Sequence, residues 1–482
     1  PRDRRQRQMC IRDRYVSVFK AYDIRGIYGD ELTPDFANEL GRALVSHFGA
    51  NCVAVGRDIR DSGPELHESF LNGIINSGCD VMDLGVTTTG VLYRASMDLD
   101  VDVSVMITAS HNPPEYNGFK ICKGTLPVAG EEIQDLRRTM ESGKFRKGKG
   151  SIVPMGEFED SYLDVIVSNA GRPKRRVRVA LDCGNAVPGP LAVEALERIG
   201  AEVIPVHCTW DSSFPHHPPD PTRKENMMDL SSAVIENSCE FGIGMDGDGD
   251  RIGVVDEKGL FIHPDRLMSI FVKDLLSSVD LDSEEEARRV FYDVKCSMAL
   301  EECIEESGGI PVMVRTGHSF MKKTLRDNPM SPMAGEMSGH FFLNDRWPGF
   351  DDSIYNASRL LEIVGRDPSP SSGGVKFSER FDDLPNYPST DEVKIPLIGN
   401  RDDVMREIVD SFSDMEYSEV DGIRVRYEDG WYLCRPSNTE PILVMRAEGR
   451  SRKALDMILT DVDSRIGSML DLGELILGTD LS

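Results

Sequence analysis

Hydrophobic and polar residues repeat with two different periods along the chain. In residues 101–107 every second residue is Val or Ile, and Asp, Ser and Met lie between them, which is the two-residue period of a β-strand. Thr33 and Pro34 precede residues 36–44, where apolar side chains recur every three or four positions, as in a capped helix. The alternation of the two periods predicts an α/β fold.

The same alternation continues through three stretches of similar size, which suggests a structural repeat. Strands are predicted at 52–56, 81–84, 101–107, 177–182, 202–206, 241–245, 252–255, 290–294 and 311–314, and helices at 62–74, 190–199, 298–306 and, as an amphipathic helix, 351–364. The remaining part of the chain reads as an α+β domain. Its predicted strands are 392–397, 422–427, 431–435 and 441–446, and its predicted helices are 404–412 and 453–470.

The length of 482 residues is too great for a single core and predicts three or four domains. The predicted division is a non-native or disordered extension at 1–15, α/β domains at 16–158, 159–261 and 262–375, and an α+β domain at 376–482. A formal charge of -27 argues against nucleic acid or an anionic membrane as a partner, because both would repel the chain. The ten cysteines show no paired spacing and no apolar run resembles a membrane span. A cytoplasmic protein is therefore expected.

The stretch 108–113, Thr-Ala-Ser-His-Asn-Pro, follows the predicted strand 101–107. Asn112 precedes two prolines, which lack amide donors and disfavour helical geometry in the residue before them. Ser110 and His111 are therefore predicted on a loop at the carboxyl end of a strand, where open α/β sheets bind their ligands. An ordinary turn is the alternative interpretation.

Asp246, Asp248 and Asp250 alternate with glycines between two predicted strands. Three carboxylates so spaced can converge on one hard cation, which removes their mutual repulsion. A solvated acidic hairpin is one alternative. A calcium loop of the EF-hand type is another, but it needs glycine at its sixth position, where Arg251 stands, and helices on both sides.

Four motifs together identify the chain as a member of the α-D-phosphohexomutase superfamily, most similar to its phosphomannomutase/phosphoglucomutase group. They are Thr-Ala-Ser-His-Asn-Pro at 108–113, Asp-Gly-Asp-Gly-Asp-Arg at 246–251, Gly-Glu-Met-Ser-Gly-His at 335–340 and Arg-Pro-Ser-Asn-Thr-Glu-Pro at 435–441. The resemblance runs from about residue 19 to about residue 466. It implies three successive α/β domains of similar topology plus a C-terminal α+β domain around a central cleft.

The resemblance also implies a set of site residues. Catalytic residues would be Ser110, His111, Lys120, Arg251 and His340; substrate-binding residues would be Tyr22, Arg25, Lys295, His318, Glu336, Ser338, Arg435, Ser437, Asn438 and Thr439; and the metal would be held by Ser110, Asp246, Asp248 and Asp250. The sequence does not rank His111, Lys120, Arg251 and His340 as the general acid or base. His216 and His217 are assigned a structural role, with metal binding as the alternative.

The implied activity is the interconversion of hexose 1-phosphate and hexose 6-phosphate, of mannose and also of glucose. Ser110 would carry the phosphoryl group beside one Mg²⁺ per chain, and hexose 1,6-bisphosphate would be the intermediate and activator. A monomer or homodimer is expected. A phosphoglucosamine mutase, and a non-catalytic sugar-phosphate sensor with Ser110 as a regulatory phosphosite, are the alternatives.

Overall fold

The computed structural model describes residues 17–20, 22–280, 284–437, 441–473 and 475. The extension predicted at 1–15 and the site residues Asn438 and Thr439 lie outside the described residues. These residues form two compact units: one comprises the described parts of 1–264 and 338–380, and the other those of 265–337 and 381–482. Among the described residues, no helix combines the length and apolarity that a membrane crossing requires.

The first unit begins with a mixed sheet of seven strands. Across the sheet these are Ile24–Ile27, Tyr116–Lys123, Val103–Ile107, Cys52–Arg57, Asp80–Val86 and Ile152–Pro154, with Leu126–Pro127 paired to Tyr116–Lys123. The helices of this part are Pro34–Phe48, Gly63–Ile75, Thr89–Asp98, Glu131–Ser142 and Phe158–Ala170. Thr33 caps the first helix, as predicted, by accepting a hydrogen bond from the amide of Phe36.

The strand Val103–Ile107 lies inside this sheet, between a parallel and an antiparallel neighbour. All five of its residues are buried, including Ser104 and Met106. The alternating pattern therefore predicted the strand correctly, although no side of this strand faces solvent. Its carboxyl end leads directly into the loop that carries Ser110.

The second sheet of this unit has five strands. Across the sheet these are Phe261–Ile262, Ile252–Asp256, Phe241–Met245, Arg178–Asp182 and Glu202–Val206, with helices Pro188–Ile199 and Met228–Glu236 and a 3₁₀ turn at Lys224–Met227. Phe241–Met245 and Ile252–Asp256 are antiparallel, and Met245 is opposite Ile252. The acidic loop 246–251 therefore closes a β-hairpin, which excludes the helix–loop–helix arrangement of an EF-hand.

The unit is completed by the strand Phe341–Leu343, the helix Ser353–Val364, and 3₁₀ turns at Pro370–Ser372 and Ser378–Phe381. The prediction of an amphipathic helix at 351–364 was wrong about its environment, because every residue of the helix except Glu362 is buried. Its polar side chains are buried against protein: Ser353 donates to the carbonyl of Gly249, and Arg359 pairs with Asp345.

The second unit contains a parallel sheet and an antiparallel sheet. The parallel strands are Ile310–Val314, Arg289–Asp293 and Met333–Gly335, accompanied by helices Pro264–Leu276, Met298–Glu306 and His318–Asp327 and a 3₁₀ turn at Glu285–Arg288. The antiparallel strands are, in order, Val393–Pro396, Ile442–Gly449, Gly430–Pro436, Ile423–Tyr427 and Glu416–Ser418, with helices Arg401–Asp410 and Arg452–Ile466. The α+β character predicted for the last domain is confirmed.

Candidate active site

The loop carrying Ser110 is held in an uncommon backbone conformation. Ser110 has φ of 51°, in the left-handed region that residues other than glycine seldom adopt. Its amide donates to Oγ1 of Thr108, and Thr108 Oγ1 in turn donates to Asp58 at 2.7 Å. A conformation of this kind persists only where surrounding contacts enforce it.

The side chain of Arg60 helps to hold the Ser110 loop in this conformation. Its side chain is fully buried, and its Nε donates to Asp58 at 3.1 Å. The two terminal nitrogens donate to four carbonyl oxygens of the loop, those of Ser110 (2.8 Å), Asn112 (2.7 Å), Pro113 (2.6 Å) and Tyr116 (3.1 Å). One planar guanidinium group thus donates to carbonyl acceptors along the whole segment 110–116, which ends where the strand Tyr116–Lys123 begins.

The hydroxyl of Ser110 faces an acceptor from the acidic hairpin. Oγ of Ser110 donates to Oδ2 of Asp246 at 2.6 Å, and Nδ1 of His111 lies 3.1 Å from the same Oγ. Burial, followed by the positive charges of Arg251 and Arg25, lowers the pKa of His111 well below its ordinary value. His111 is therefore a neutral ring at neutral pH, beside the serine hydroxyl.

Asp246, Asp248 and Asp250 converge, and all three are completely buried. Burial, together with the charges of Asp250 and Asp248, raises the pKa of Asp246 well above its ordinary value. Oδ1 of Asp246 accepts the amides of residues 249, 250 and 251, while Thr89 Oγ1 donates to Asp248 at 2.7 Å. The interpretation as a solvated acidic hairpin was therefore wrong.

Lys120 contributes one cation to this cluster. Its Nζ donates to Asp248 at 2.6 Å and to Asp250 at 2.7 Å. Burial opposes the charge of Lys120, but the two carboxylates outweigh that effect and raise its pKa, so the side chain stays protonated. One lysine leaves a net negative charge among the three aspartates.

The cluster fits a hard divalent cation. Oδ1 of Asp248 is buried and accepts no hydrogen bond from any residue that the structure describes. Carboxylate oxygens of all three aspartates lie within 4.8 Å of one another, and oxygen is the donor that such cations prefer. A cation there would satisfy the vacant acceptor and offset the remaining negative charge.

A chain of polar contacts extends from this cluster through Arg251 and His340. Nε of Arg251 donates to Nε2 of His340 at 3.1 Å. This ring nitrogen must therefore be unprotonated, so the proton of a neutral ring resides on Nδ1. His340 Nδ1 lies 3.0 Å from Asp351 and 3.7 Å from Asp250, which places the proton between two carboxylates.

Arg25 contacts the Ser110 loop from the first strand of the sheet. It donates to Oδ1 of Asn112 and to Asp23, both at 2.6 Å. Tyr22 and Ser338 also belong to this unit, and both are half-buried. The structure therefore brings together the hydroxyl, the three aspartates and all five predicted catalytic residues, whereas the roles of Tyr22, Arg25 and Ser338 stay predictions.

The second unit carries the other predicted substrate-binding residues. Arg435 donates through Nε to Asp421 at 2.7 Å, and the same carboxylate oxygen accepts the amide of Thr316. Glu336 accepts the amide of Gly317 at 2.6 Å, next to His318. Elsewhere in this unit Lys295 pairs with Glu392 at 3.1 Å, and Ser437 is half-buried after the strand Gly430–Pro436. Their role in substrate binding stays a prediction.

Several residues that position the site were missed by the sequence analysis. They are Asp58, Arg60, Thr89, Asp351 and Asp421, together with Gly247, whose backbone lies against the carbonyl of Ser110. The most informative of their contacts join residues far apart in the chain, such as Arg60 with Ser110 and Thr89 with Asp248. One signal was available: Gly349-Phe350-Asp351-Asp352 precedes the helix at 353 and contains two adjacent acidic residues before a buried helix.

One known protein family matches this chain along most of its length. Four sequence models of one family match in order: "Phosphoglucomutase/phosphomannomutase, alpha/beta/alpha domain I" at 16–147, domain II at 160–259, domain III at 263–386 and the C-terminal domain at 392–464. The order agrees with three α/β domains followed by a C-terminal domain. The superfamily predicted from the four motifs is confirmed.

Named relatives and a solved structure agree. A "Phosphomannomutase/phosphoglucomutase" of Pseudomonas aeruginosa is 41% identical over 92% of this chain and 94% of its own. A "Phosphoglucomutase" of Neisseria gonorrhoeae is 40% identical over 92% and 95%. A phosphoglucomutase/phosphomannomutase family protein of Burkholderia thailandensis superposes with a TM-score of 0.85 at 38% identity, covering 94% of this chain and 97% of its own. The chain therefore belongs to the phosphoglucomutase/phosphomannomutase family of the α-D-phosphohexomutase superfamily, whose members are intramolecular phosphotransferases of the isomerase class.

Proposed function

We propose that this protein interconverts the 1-phosphates and 6-phosphates of mannose and glucose through a phosphoserine at Ser110. The observation that carries the proposal is the 2.6 Å contact of the Ser110 hydroxyl with Asp246, inside a buried group of three aspartates. Phosphoryl transfer depends mainly on positioning and on neutralising charge. A hydroxyl fixed beside a cation-binding cluster meets both requirements.

Mg²⁺ is the cation that we propose for Asp246, Asp248 and Asp250, with Ser110 beside them. When bound, it would supply Lewis-acid stabilisation of the charge on a phosphoryl group. Lys120 stays protonated and adds a second positive charge next to Asp248 and Asp250. A phosphoserine, with a charge of roughly -1.5 to -2, would be favoured in these surroundings.

Proton transfer at Ser110 is assigned to His111. Its neutral ring lies 3.1 Å from Oγ. The hydroxyl hydrogen is directed at Asp246 in this structure, and once it turns to Nδ1, His111 takes this proton when Ser110 attacks a bisphosphate and returns it in the reverse direction. Lys120, Arg251 and His340 remain candidates for the proton of the sugar hydroxyl. The Nε2 lone pair of His340 is turned towards Arg251, which favours a positioning role for His340 within this set.

Hexose 1,6-bisphosphate is proposed as the intermediate, which reorients in the site so that its other phosphate faces Ser110. It is also proposed as the activator that first phosphorylates Ser110. The predicted phosphate-binding residues are Arg435, Ser437, Asn438 and Thr439. A cytoplasmic location and a monomeric or homodimeric state stay predictions. The named relatives include a phosphomannomutase/phosphoglucomutase and a phosphoglucomutase, which supports both sugars as substrates.

The test is a coupled assay with purified protein, Mg²⁺ and the bisphosphate, using the 1-phosphates of mannose, glucose and glucosamine separately. We expect turnover of the first two. Ser110→Ala is expected to lose roughly 10³-fold or more in kcat, and to lose the phosphoryl mass increment on the peptide containing residue 110. Ser168→Ala, an exposed serine on the helix Phe158–Ala170, is the control and should retain both.

Each contrary result has a distinct meaning. Turnover of glucosamine phosphates alone would establish a phosphoglucosamine mutase. Binding of sugar phosphates with no turnover would establish a sensor. Full activity of Ser110→Ala would rule out the phosphoserine, and full activity after exhaustive chelation of divalent ions would rule out the metal.

A further inference from the structure

A second group of possible metal ligands, distinct from the three aspartates, lies at the carboxyl ends of two strands in the five-stranded sheet of the first unit. Asp182 is the last residue of the strand Arg178–Asp182, and His207 directly follows the strand Glu202–Val206. The two strands are parallel, and Asp182 is in register with Val206. Both side chains therefore belong to the carboxyl ends of neighbouring strands, and His217 reaches them from a proline-rich loop.

The three side chains converge closely. One nitrogen of His207, one nitrogen of His217 and one oxygen of Asp182 lie within 4.8 Å of one another. Nε2 of His217 is 3.1 Å from Oδ2 of Asp182. The Asp182 side chain is 2% exposed, while the two histidine side chains are 17% and 15% exposed, so the group is nearly buried and an ion can still enter.

The hydrogen bonds of His217 identify its free lone pair. Nδ1 of His217 lies 2.9 Å from the carbonyl oxygen of Pro218, which can only accept, so Nδ1 carries the proton. In the neutral ring, the lone pair of Nε2 then faces the carboxylate oxygen of Asp182. At 3.1 Å these two atoms are joined either by a proton on Nε2, as in an ion pair, or by a metal ion that takes the place of that proton.

His207 is oriented in a corresponding way. Its Nε2 lies 2.9 Å from Asp229, a carboxylate that can only accept, which leaves the lone pair on Nδ1. A histidine whose other N–H is held by a carboxylate or carbonyl is the usual arrangement in metal sites. The ring of His207 is also stacked on that of His216 at 3.7 Å, and its backbone has φ of 47°. These contacts fix the ring without using its second nitrogen.

We propose that Asp182, His207 and His217 form a binding site for a divalent transition-metal ion, with Zn²⁺ as the representative. Two imidazoles and one carboxylate leave a fourth position for water, which is a common tetrahedral set for zinc. Imidazole ligands favour zinc, nickel and cobalt over magnesium. The ion would fasten the loop that contains His217 to the ends of two strands.

The proposed zinc site shares no residue with the group of three aspartates, and its ligand atoms are of a different type. Asp246, Asp248 and Asp250 offer oxygen alone, whereas the second site offers mainly nitrogen. The inference therefore does not depend on the proposed mutase reaction. Each site can be removed by substitution without altering a ligand of the other.

The experiment is a titration of the metal-free full-length protein with Zn²⁺ in millimolar Mg²⁺, read by calorimetry and by bound metal after dialysis. Co²⁺ serves as a spectroscopic probe, because nitrogen ligands in a four-coordinate site give a much stronger visible absorption than six oxygens do. We expect the unaltered protein to bind one equivalent of Zn²⁺ per chain, and we expect the Asp246→Asn variant to bind it equally well. His217→Gln and Asp182→Asn should each lower the affinity for Zn²⁺ at least tenfold and abolish the strong visible absorption of the Co²⁺ complex.

His67→Gln is the matched control, because His67 also pairs with an aspartate, Asp83, at 2.9 Å, but among the residues that the structure describes no third metal ligand joins them. This variant should bind Zn²⁺ like the unaltered protein. Circular dichroism checks that each variant is folded, and His207→Gln repeats the test if another variant is not. The proposal is overturned if the unaltered protein binds no Zn²⁺ under these conditions, or if folded His217→Gln and His207→Gln retain the same affinity and absorption.

Discussion

Oγ of Ser110 lies 2.6 Å from Oδ2 of Asp246, although 136 residues separate them in the chain. The contact joins the loop after Val103–Ile107 to the loop of the hairpin Phe241–Asp256. Such proximity leaves no space for a side chain on the next residue of the hairpin: a Cβ atom at Gly247 would lie 2.0 Å from the carbonyl oxygen of Ser110. The glycine is therefore a requirement of the site, independent of its backbone angles.

Gly247→Ala is expected to separate the two loops and to reduce kcat by about 100-fold, since small displacements of reacting groups have effects of that size. The added methyl group meets backbone, which cannot rotate away. Steady-state kinetics measure the effect, and thermal denaturation shows whether the fold is retained. Gly156→Ala is the control, because a Cβ there meets nothing within 4 Å. Equal activity of the two variants would contradict this account of Gly247.

Arg60→Ala should destabilise the protein, because it leaves Asp58 and four loop carbonyls without their buried donor. Removal of one partner of a buried ion pair costs about 3–5 kcal/mol. The midpoint of thermal unfolding should fall, and kcat should fall with it because Ser110 loses its anchored conformation. Arg94→Ala removes a partly exposed pair with Asp98 and should change the free energy of unfolding by about 1 kcal/mol or less. A similar small effect of Arg60→Ala would refute the anchoring role.

Asp351→Ala tests the contact of that carboxylate with His340. Because Arg251 donates to Nε2, the proton of His340 lies on Nδ1, 3.0 Å from Asp351. Loss of the carboxylate should release the ring and lower kcat by about 10- to 100-fold, or about 1.4 to 2.7 kcal/mol in the activation free energy, with a smaller change in KM. Asp98→Ala provides the surface control. A change in KM alone would indicate a role in substrate binding and not in positioning His340.

The pH dependence of stability should include a contribution from Asp352. Burial raises the pKa of this carboxyl from 3.8 to about 7, although it accepts hydrogen bonds from the amide of Tyr355 and from Tyr162. Between these two pH values the unfolded chain is ionised while the folded protein keeps the proton. The contribution of Asp352 to stability is therefore complete below about pH 3.8 and is lost as the pH rises to about 7.

A difference of about three pKa units corresponds to at most about 4 kcal/mol, at 1.36 kcal/mol for each unit. Asp352→Asn removes the titration, so its midpoint of unfolding should rise relative to the unaltered protein between pH 5 and pH 8. Differential scanning calorimetry at several pH values measures this difference. Asp98→Asn should show no comparable trend, and a constant difference for Asp352→Asn would rule out the raised pKa.

Local sequence patterns predicted most of the secondary structure because hydrophobic spacing and helix caps act over a few residues. The helix Met298–Glu306 begins after Ser297, whose Oγ accepts an amide, and it has the predicted bounds. The hairpin around 246–251 and the loop at 108–113 were also predicted, since glycine and proline restrict the backbone where they stand. Motif resemblance then identified the family.

Local patterns could not predict the environment of the helix Ser353–Val364. Its polar residues are spaced as on a solvent-exposed face, yet Ser353 and Arg359 are buried and bonded to protein. Periodicity reports the direction of a side chain from its own helix. What covers that direction depends on the packing of other elements.

The sequence by itself determined many of the strands and helices, the two loops that carry the chemistry and the family. Only the tertiary structure decided that Arg60 holds the Ser110 loop, that Thr89 donates to Asp248 and that Asp182 meets His207 and His217. These contacts join residues far apart in the chain. Their distances are set by how whole sheets and helices pack, which no short stretch of sequence specifies.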